Sequence, residues 1–257
     1  MPVSIAEPSL DNVSLVSWEK LSDKRIFFGH QSVGYNILDG VGIILKEHPE
    51  IHLKIVETSD PTRFDAPIFA NAPIGRNGNP GSKCEAFERF LDDGIGKWAD
   101  IAFFKFCFVD VNRDTDVEKM FEQYRATIRS VKKKYPALTI VHLTVPLVTS
   151  DYGLISRLKG IIKGLLGRKS MDANVNRYRM NELIRKEYAG KDPVFDLASI
   201  ESITPTGEPV TFVYDGKGYP SLYPGYTTDG GHLNDIGKRL VGMRLLVFLA
   251  DIAEKEK

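Results

Sequence analysis

The sequence predicts a three-layer α/β fold: a mainly parallel sheet with helices on both faces. Short apolar runs alternate along the chain with longer amphipathic segments, which is how strands and crossover helices alternate in such a sheet. The stretch Ala99 to Val111 is largely apolar, with Lys105 inside it and Asp100 and Asp110 near its ends, as expected for a central strand covered on both faces. The length of 257 residues with 42% hydrophobic side chains is enough to bury the core of one large domain.

Element by element, Arg25 to Phe28 reads as a first strand ending at Gly29. Tyr35 to Glu47 places Ile37, Leu38, Val41, Ile44 and Leu45 on one side of a helix. Ile51 to Val56 alternates as a second strand and runs into a long loop, Thr58 to Ser82, rich in Gly, Pro and Asn. Cys84, Phe87, Phe90 and Leu91 follow helical spacing, with Ser82 as cap and Gly94 as stop. Val117 to Lys134 is an amphipathic helix, and Leu138 to Val145 a strand stopped by Pro146. Asn176 to Tyr188 forms a helix, Pro193 to Leu197 a short strand and Asp235 to Glu254 a closing helix. No internal repeat interrupts the pattern. The expectation is a single domain over 1–257, with 1–24 as a lead-in.

Two segments stand outside this alternation. Residues 150–172 contain Leu154, Ile155, Leu158, Ile161, Ile162, Leu165 and Leu166 at helical spacing with basic residues between them. They read as an inserted amphipathic helix packed on the domain, or alternatively as a lid or lipid-facing helix. Residues 204–228 carry Val210 to Tyr214 followed by Asp215 and Gly216, a hairpin or ordered loop leading into Asp229.

The composition narrows the partners. The 34 basic and 34 acidic side chains cancel, which argues against nucleic acid or an anionic membrane as the main partner. With only Cys84 and Cys107, a disulfide framework is excluded and one bridge at most is expected. No stretch approaches the roughly 20 apolar residues of a membrane span, and Met1 to Lys20 has no basic region followed by an apolar run. A soluble protein is expected, either cytoplasmic or exported after loss of a signal.

Two motifs carry chemistry: Gly29-His-Gln-Ser-Val-Gly34 and Asp229-Gly-Gly-His-Leu-Asn-Asp-Ile-Gly237. A Ser hydroxyl becomes a nucleophile when an imidazole takes its proton, and that imidazole needs an acceptor to fix its tautomer. Ser32, His232 and Asp229 supply the three roles in the order Ser, Asp, His. Ser32 at a strand-to-helix junction could present its oxygen with backbone amides beside it, or merely cap the helix.

These motifs resemble those of the SGNH (GDSL-like) hydrolases, over most of the chain from Arg25 to the last helix. The resemblance implies a flavodoxin-like sheet and an esterase, lipase or carbohydrate deacetylase activity. Asp229 to Gly237 is similar to the family's terminal block of Asp, two variable residues and His, which makes His232 the general base and Asp229 its orienting partner. Ser32 matches the nucleophile block, with Gln31 where the family usually has Asp. Gly81, opening a helix, looks like the family's second block, whose Gly amide helps hold the oxyanion; Gly78 is the alternative. The family's Gly-x-Asn-Asp is missing, because the central strand ends Phe106-Cys-Phe-Val-Asp-Val-Asn112. Either Asn112 takes the oxyanion role or Asp110 occupies the site, and an ionised Asp110 would oppose an oxyanion. Asn112 is the expected donor, together with the amides of Ser32 and Gly81.

The expected function is therefore hydrolysis of an acyl ester, most simply a short acyl group on a carbohydrate, with no metal or organic cofactor. Its alternatives are an acyltransferase using the same triad and a catalytically impaired binding module. His30, Gln31 and Asp110 are candidates for contacting substrate. Lys105 needs a partner in its apolar strand, with Asp110 or its surroundings expected to supply one. Cys107 reads as a small core residue, and His48 and His52 as surface residues.

Overall fold

The computed structural model of the protein describes residues 10–150 and 163–255. Its main sheet has six strands in the order β2-β3-β1-β4-β5-β6. These are β1 (Arg25–His30), β2 (Ile55–Glu57), β3 (Ile68–Pro73), β4 (Ile101–Phe104), β5 (Thr139–Leu143) and β6 (Val194–Phe195). All five pairings are parallel. The chain leaves β1 toward β2 and β3 on one side, then crosses to β4 on the other. The carboxyl end of β1 is thus the topological switch point, where open α/β sheets place their ligands.

Two hydrophobic clusters cover the two faces. Along β1, Ile26 and Phe28 enter one cluster and Phe27 the other, as the twofold alternation of a strand requires. The first cluster is closed by α1 (Leu15–Ser22), α2 (Val33–Glu47) and α7 (Asp235–Lys255); the second by α3 (Pro80–Phe90), α4 (Val117–Lys134) and α5 (Lys163–Tyr188). Helix α2 buries Ile37, Val41 and Ile44 against Val241, Leu245 and Leu249 of α7, among others.

Several boundaries differ from the sequence expectation. The loop expected over 58–82 contains β3, which pairs with β1 along its whole length; the Pro and Asn around its apolar run mask a short strand buried on both faces. The second strand is only Ile55–Glu57, because Ile51 and Leu53 are buried outside the ladder. Helix α3 is capped by Asn79, whose side chain accepts from Ser82 N, with Pro80 at its start; Ser82 instead bonds Asn79 O and Arg76 N. Gly94 interrupts the helical run at φ 132°. The long central strand shortens to Ile101–Phe104, after which Phe108–Asp110 turn into a 3-10 helix. Of the expected inserted helix, residues 151–162 lie outside the described residues, and from Lys163 the chain is helical through to Tyr188. The 204–228 insertion contains an antiparallel hairpin, β7 (Thr211–Tyr214) with β8 (Lys217–Pro220). Its turn, Asp215 and Gly216, has positive φ at both positions, the geometry that an Asp-Gly pair favours. A short helix α6 (Leu197–Glu201) precedes it.

Candidate active site

Ser32 lies two residues beyond the end of β1, immediately before α2. Its backbone has φ 55° and ψ −113°, a strained conformation for a residue with a Cβ, and its side chain makes no capping bond. The reading of Ser32 as an ordinary helix cap is therefore excluded. Its hydroxyl instead lies 2.7 Å from His232 Nε2. Gly34 keeps the next turn close: a Cβ there would sit 2.4 Å from that of His30.

His232 stands in the loop before α7, which crosses α2 closely enough to bring both helix starts together. Its Nδ1 lies 2.6 Å from Asp229 Oδ2. The other carboxylate oxygen, Asp229 Oδ1, accepts from the backbone N–H groups of Gly231 and His232 at 2.9 and 2.8 Å. Burial works against the charge of Asp229, but these donors and the His232 ring outweigh it and hold the carboxyl below its usual range. A carboxylate at Nδ1 favours the tautomer with its proton on Nδ1, which leaves Nε2 of a neutral imidazole as the acceptor facing the hydroxyl. The Phe108 ring meets His232 edge to face at 5.4 Å between centroids. Both His232 and Asp229 remain open, with side chains 45% and 54% exposed.

The remaining expected residues are placed as follows. His30 is fully buried, its Nε2 3.0 Å from Asn71 Oδ1; burial pushes its pKa down to about 4, so it turns inward as a neutral ring. Gln31 donates its amide to the carbonyls of Ile74 and Gly75, joining the β1 end to the β3 end. Asp110 is buried and accepts from Lys83 Nζ at 2.5 Å, Cys107 N at 2.6 Å and Gly78 N at 2.8 Å. All three serve the framework under the site in this geometry, and Gly78 N is engaged by Asp110. Asn112 is exposed, its side-chain oxygen accepting from Asp114 N in a local turn. Gly81 sits in the first turn of α3 against Gln123 of α4, where a Cβ would meet that amide at 2.9 Å.

Lys105 is fully buried and does not pair with Asp110, whose charge is answered by Lys83. Its Nζ lies 3.2 Å from Cys107 Sγ and 3.4 Å from Phe106 O, and burial pushes its pKa down. Glu201, on α6, is equally buried; burial raises its pKa to about 8, and one carboxyl oxygen accepts from Leu147 N. Both cysteines are free. Among the described residues no group of three His, Cys, Asp or Glu is placed to hold a metal ion, and no helix is long and apolar enough to cross a membrane.

Three supporting residues escaped sequence reasoning. Asn36, one helical turn beyond Ser32, accepts from Leu233 N at 3.1 Å and so ties α2 to the residue after His232. Thr227 accepts from Gly230 N at 2.9 Å and shapes the Asp229 turn. Lys83 sits on the buried face of α3. The i, i+4 spacing of Ser32 and Asn36 was a usable signal; Lys83 carried none, since its partner is 27 residues away.

No family model and no curated protein matches the chain. Solved structures do. An acylhydrolase, so described provisionally, from Bacteroides fragilis is 12% identical with TM-score 0.51, covering 96% of this chain and 98% of that one. A lipase/acylhydrolase from Enterococcus faecalis is 13% identical with TM-score 0.50, covering 91% and 97%. A protein from Streptococcus pneumonia provisionally described as a platelet activating factor is 18% identical with TM-score 0.50, covering 91% and 90%. At these identities the likeness is one of fold.

Proposed function

We propose that this chain, whose three-layer sheet is that of the SGNH hydrolases, is a serine esterase in which Ser32, His232 and Asp229 carry the reaction. The contact that carries this reading is Ser32 Oγ at 2.7 Å from His232 Nε2, with His232 Nδ1 at 2.6 Å from Asp229. In this reading Ser32 Oγ attacks the acyl carbonyl carbon while its proton moves to His232 Nε2. Asp229 offsets the imidazolium. The tetrahedral intermediate collapses, His232 returns the proton to the leaving alcohol, and an acyl-Ser32 ester remains. Water, deprotonated by His232, then attacks that ester and releases the acid and free Ser32.

The oxyanion is assigned to the backbone N–H of Ser32, with Gly81 N and the Asn112 side chain as the further donors expected from the family pattern. The strained backbone of Ser32 supports catalysis over a binding module, because binding alone gives no reason to hold a hydroxyl at φ 55°. The open His232 and Asp229 support hydrolysis over acyl transfer to another alcohol, since transfer requires water to be kept out. They also suit a bulky alcohol portion, and we assign a short acyl group on a carbohydrate as the substrate class. Tyr35, exposed one turn from Ser32, offers a ring face to such a substrate.

Labelling with a fluorophosphonate and turnover of nitrophenyl acetate test the proposal. Wild type is expected to label at Ser32 and turn over, and Ser32→Ala to do neither. Absence of both in wild type at neutral pH refutes the esterase reading.

A further inference from the structure

We infer that Lys105 and Cys107 polarise the peptide unit between Gln31 and Ser32 and thereby strengthen the Ser32 N–H as an oxyanion donor. The inference rests on the reading of Ser32 proposed above. It begins from a buried lysine without an acidic hydrogen-bond partner. Lys105 leaves the end of β4 with no exposure, and its Nζ reaches Cys107 Sγ at 3.2 Å. Cys107, also fully buried, reaches Gln31 O at 3.4 Å. A carbonyl oxygen accepts, so the thiol carries its proton and donates it, while Lys105 donates to the sulfur lone pair.

The carbonyl so engaged belongs to the same peptide unit as Ser32 N–H. Gln31 O also accepts from Gly34 N at 3.1 Å, so both of its lone pairs are occupied. A carbonyl that accepts hydrogen bonds draws electron density from its own amide and makes the attached N–H a better donor. Such strengthening along a chain of bonds is about 10–30% per bond. Lys105 and Cys107 behind that peptide unit are fully buried, where charge is screened less than in water.

Packing alone does not account for Lys105. A buried cation without a carboxylate in contact is costly. The two nearby acids do not contact Lys105 Nζ: Asp110 accepts from Lys83, and one oxygen of Glu201, whose pKa burial raises to about 8, accepts from Leu147 N. An apolar side chain of similar length would fill the same volume. What it would lack is a positive charge two hydrogen bonds behind Gln31 O. Lys105 and Cys107 are thus positioning residues that touch neither substrate nor the reacting atoms.

The test compares Cys107→Ala with Cys107→Ser in wild-type background, reading kcat and KM for nitrophenyl acetate and affinity for a boronic acid that occupies the oxyanion site. Cys107→Ala is expected to lower kcat roughly 2- to 8-fold with KM within about twofold, the share of the ~10²–10³-fold cost of losing an oxyanion donor outright that a weakening of about 10–30% represents. Boronate affinity should fall in parallel. Cys107→Ser, whose hydroxyl still donates to Gln31 O, should stay within about twofold of wild type. Equal losses in the two variants would indicate packing and overturn the inference, as would an unchanged Cys107→Ala. Lys105→Met separates charge from folding: it is expected to raise the melting temperature while lowering kcat, and unchanged kcat in a folded variant refutes the role of the charge. If wild type neither labels at Ser32 nor turns over, the esterase reading and this inference fall together. If wild type labels normally and only the Cys107 comparison fails, the inference alone falls.

Discussion

Gly40 of α2 and Gly242 of α7 meet where the two helices cross. A Cβ on Gly40 would lie 1.9 Å from Lys238 O, and one on Gly242 would lie 2.3 Å from the carbonyl carbon of Gly40. Ser32 precedes the first helix and His232 the second, so this crossing sets how close the two can come. Gly40→Ala is expected to push α7 outward and cost at least about 2 kcal/mol, with loss of turnover beyond the fraction unfolded. Denaturant midpoints and kcat measured on the same preparation check this; an unchanged midpoint would contradict it.

Asp229 has two separable tasks, since Oδ1 holds the loop amides and Oδ2 faces His232. Asp229→Asn can keep the loop bonds but leaves His232 without a negative partner. kcat is expected to fall by ~10²–10⁴-fold with little change in KM or melting temperature. A variant with near-normal kcat would mean that His232 needs no orienting charge.

The buried pair Lys83 and Asp110 ties α3 to the turn after β4. Asp110→Ala removes the acceptor for Lys83, Gly78 and Cys107 at once. Leaving the buried Lys83 ammonium with only the neutral Asn77 Oδ1 as acceptor, at 2.9 Å, is expected to cost about 3–5 kcal/mol. Asp110→Asn, which keeps an acceptor but not the charge, should cost less. Chemical unfolding of the three proteins at one pH gives the ranking.

Glu201 has a folded pKa of about 8, well above the value of 4.5 for an ordinary Glu. Its contribution to stability is therefore present below pH 4.5 and lost as pH rises toward 8. Glu201→Gln removes that dependence while keeping an acceptor for Leu147 N. The variant should gain on wild type as pH rises through this window, by up to about 1.4 kcal/mol per pH unit. Parallel unfolding curves at pH 5 and pH 8 would refute the buried, protonated carboxyl.

His30 and His142, a fully buried ring on β5 whose Nδ1 lies 2.7 Å from the Tyr124 hydroxyl, act with the opposite sign. Burial lowers both to about 4, below the ordinary 6.5, so their stability is present above pH 6.5 and lost as pH falls toward 4. In the Glu201→Gln background this limb is expected to fall by up to about 2.7 kcal/mol per pH unit, two protons taken up on unfolding. Denaturant unfolding between pH 4 and pH 7 measures it. A flat profile would show that neither ring is held neutral.

Much of the architecture was legible because it is written in local periodicity. Alternating apolar runs and amphipathic helices gave the α/β/α class, and α2 and α4 ended where the pattern stopped, at Glu47 and Lys134. Asp215 and Gly216 announced the hairpin. β3 was not legible, since a short strand flanked by Pro and Asn has no period of its own and is defined by pairing with β1. The apolar run overstates the central strand for the same reason: apolar residues continue past Phe104, but the turn at Phe108–Asp110 is set by bonds to Asp110.

The sequence by itself marked Ser32, Asp229 and His232 as candidates, because two short motifs place a hydroxyl after a strand and an acid three residues before an imidazole. Only the tertiary structure decided that their side chains meet, since Ser32 and His232 are 200 positions apart and depend on two glycines at a helix crossing. The structure alone also decided which charges pair. Asp110 took Lys83 rather than Lys105, because partner choice depends on distances between distant segments, and those appear only once the sheet and helices have packed.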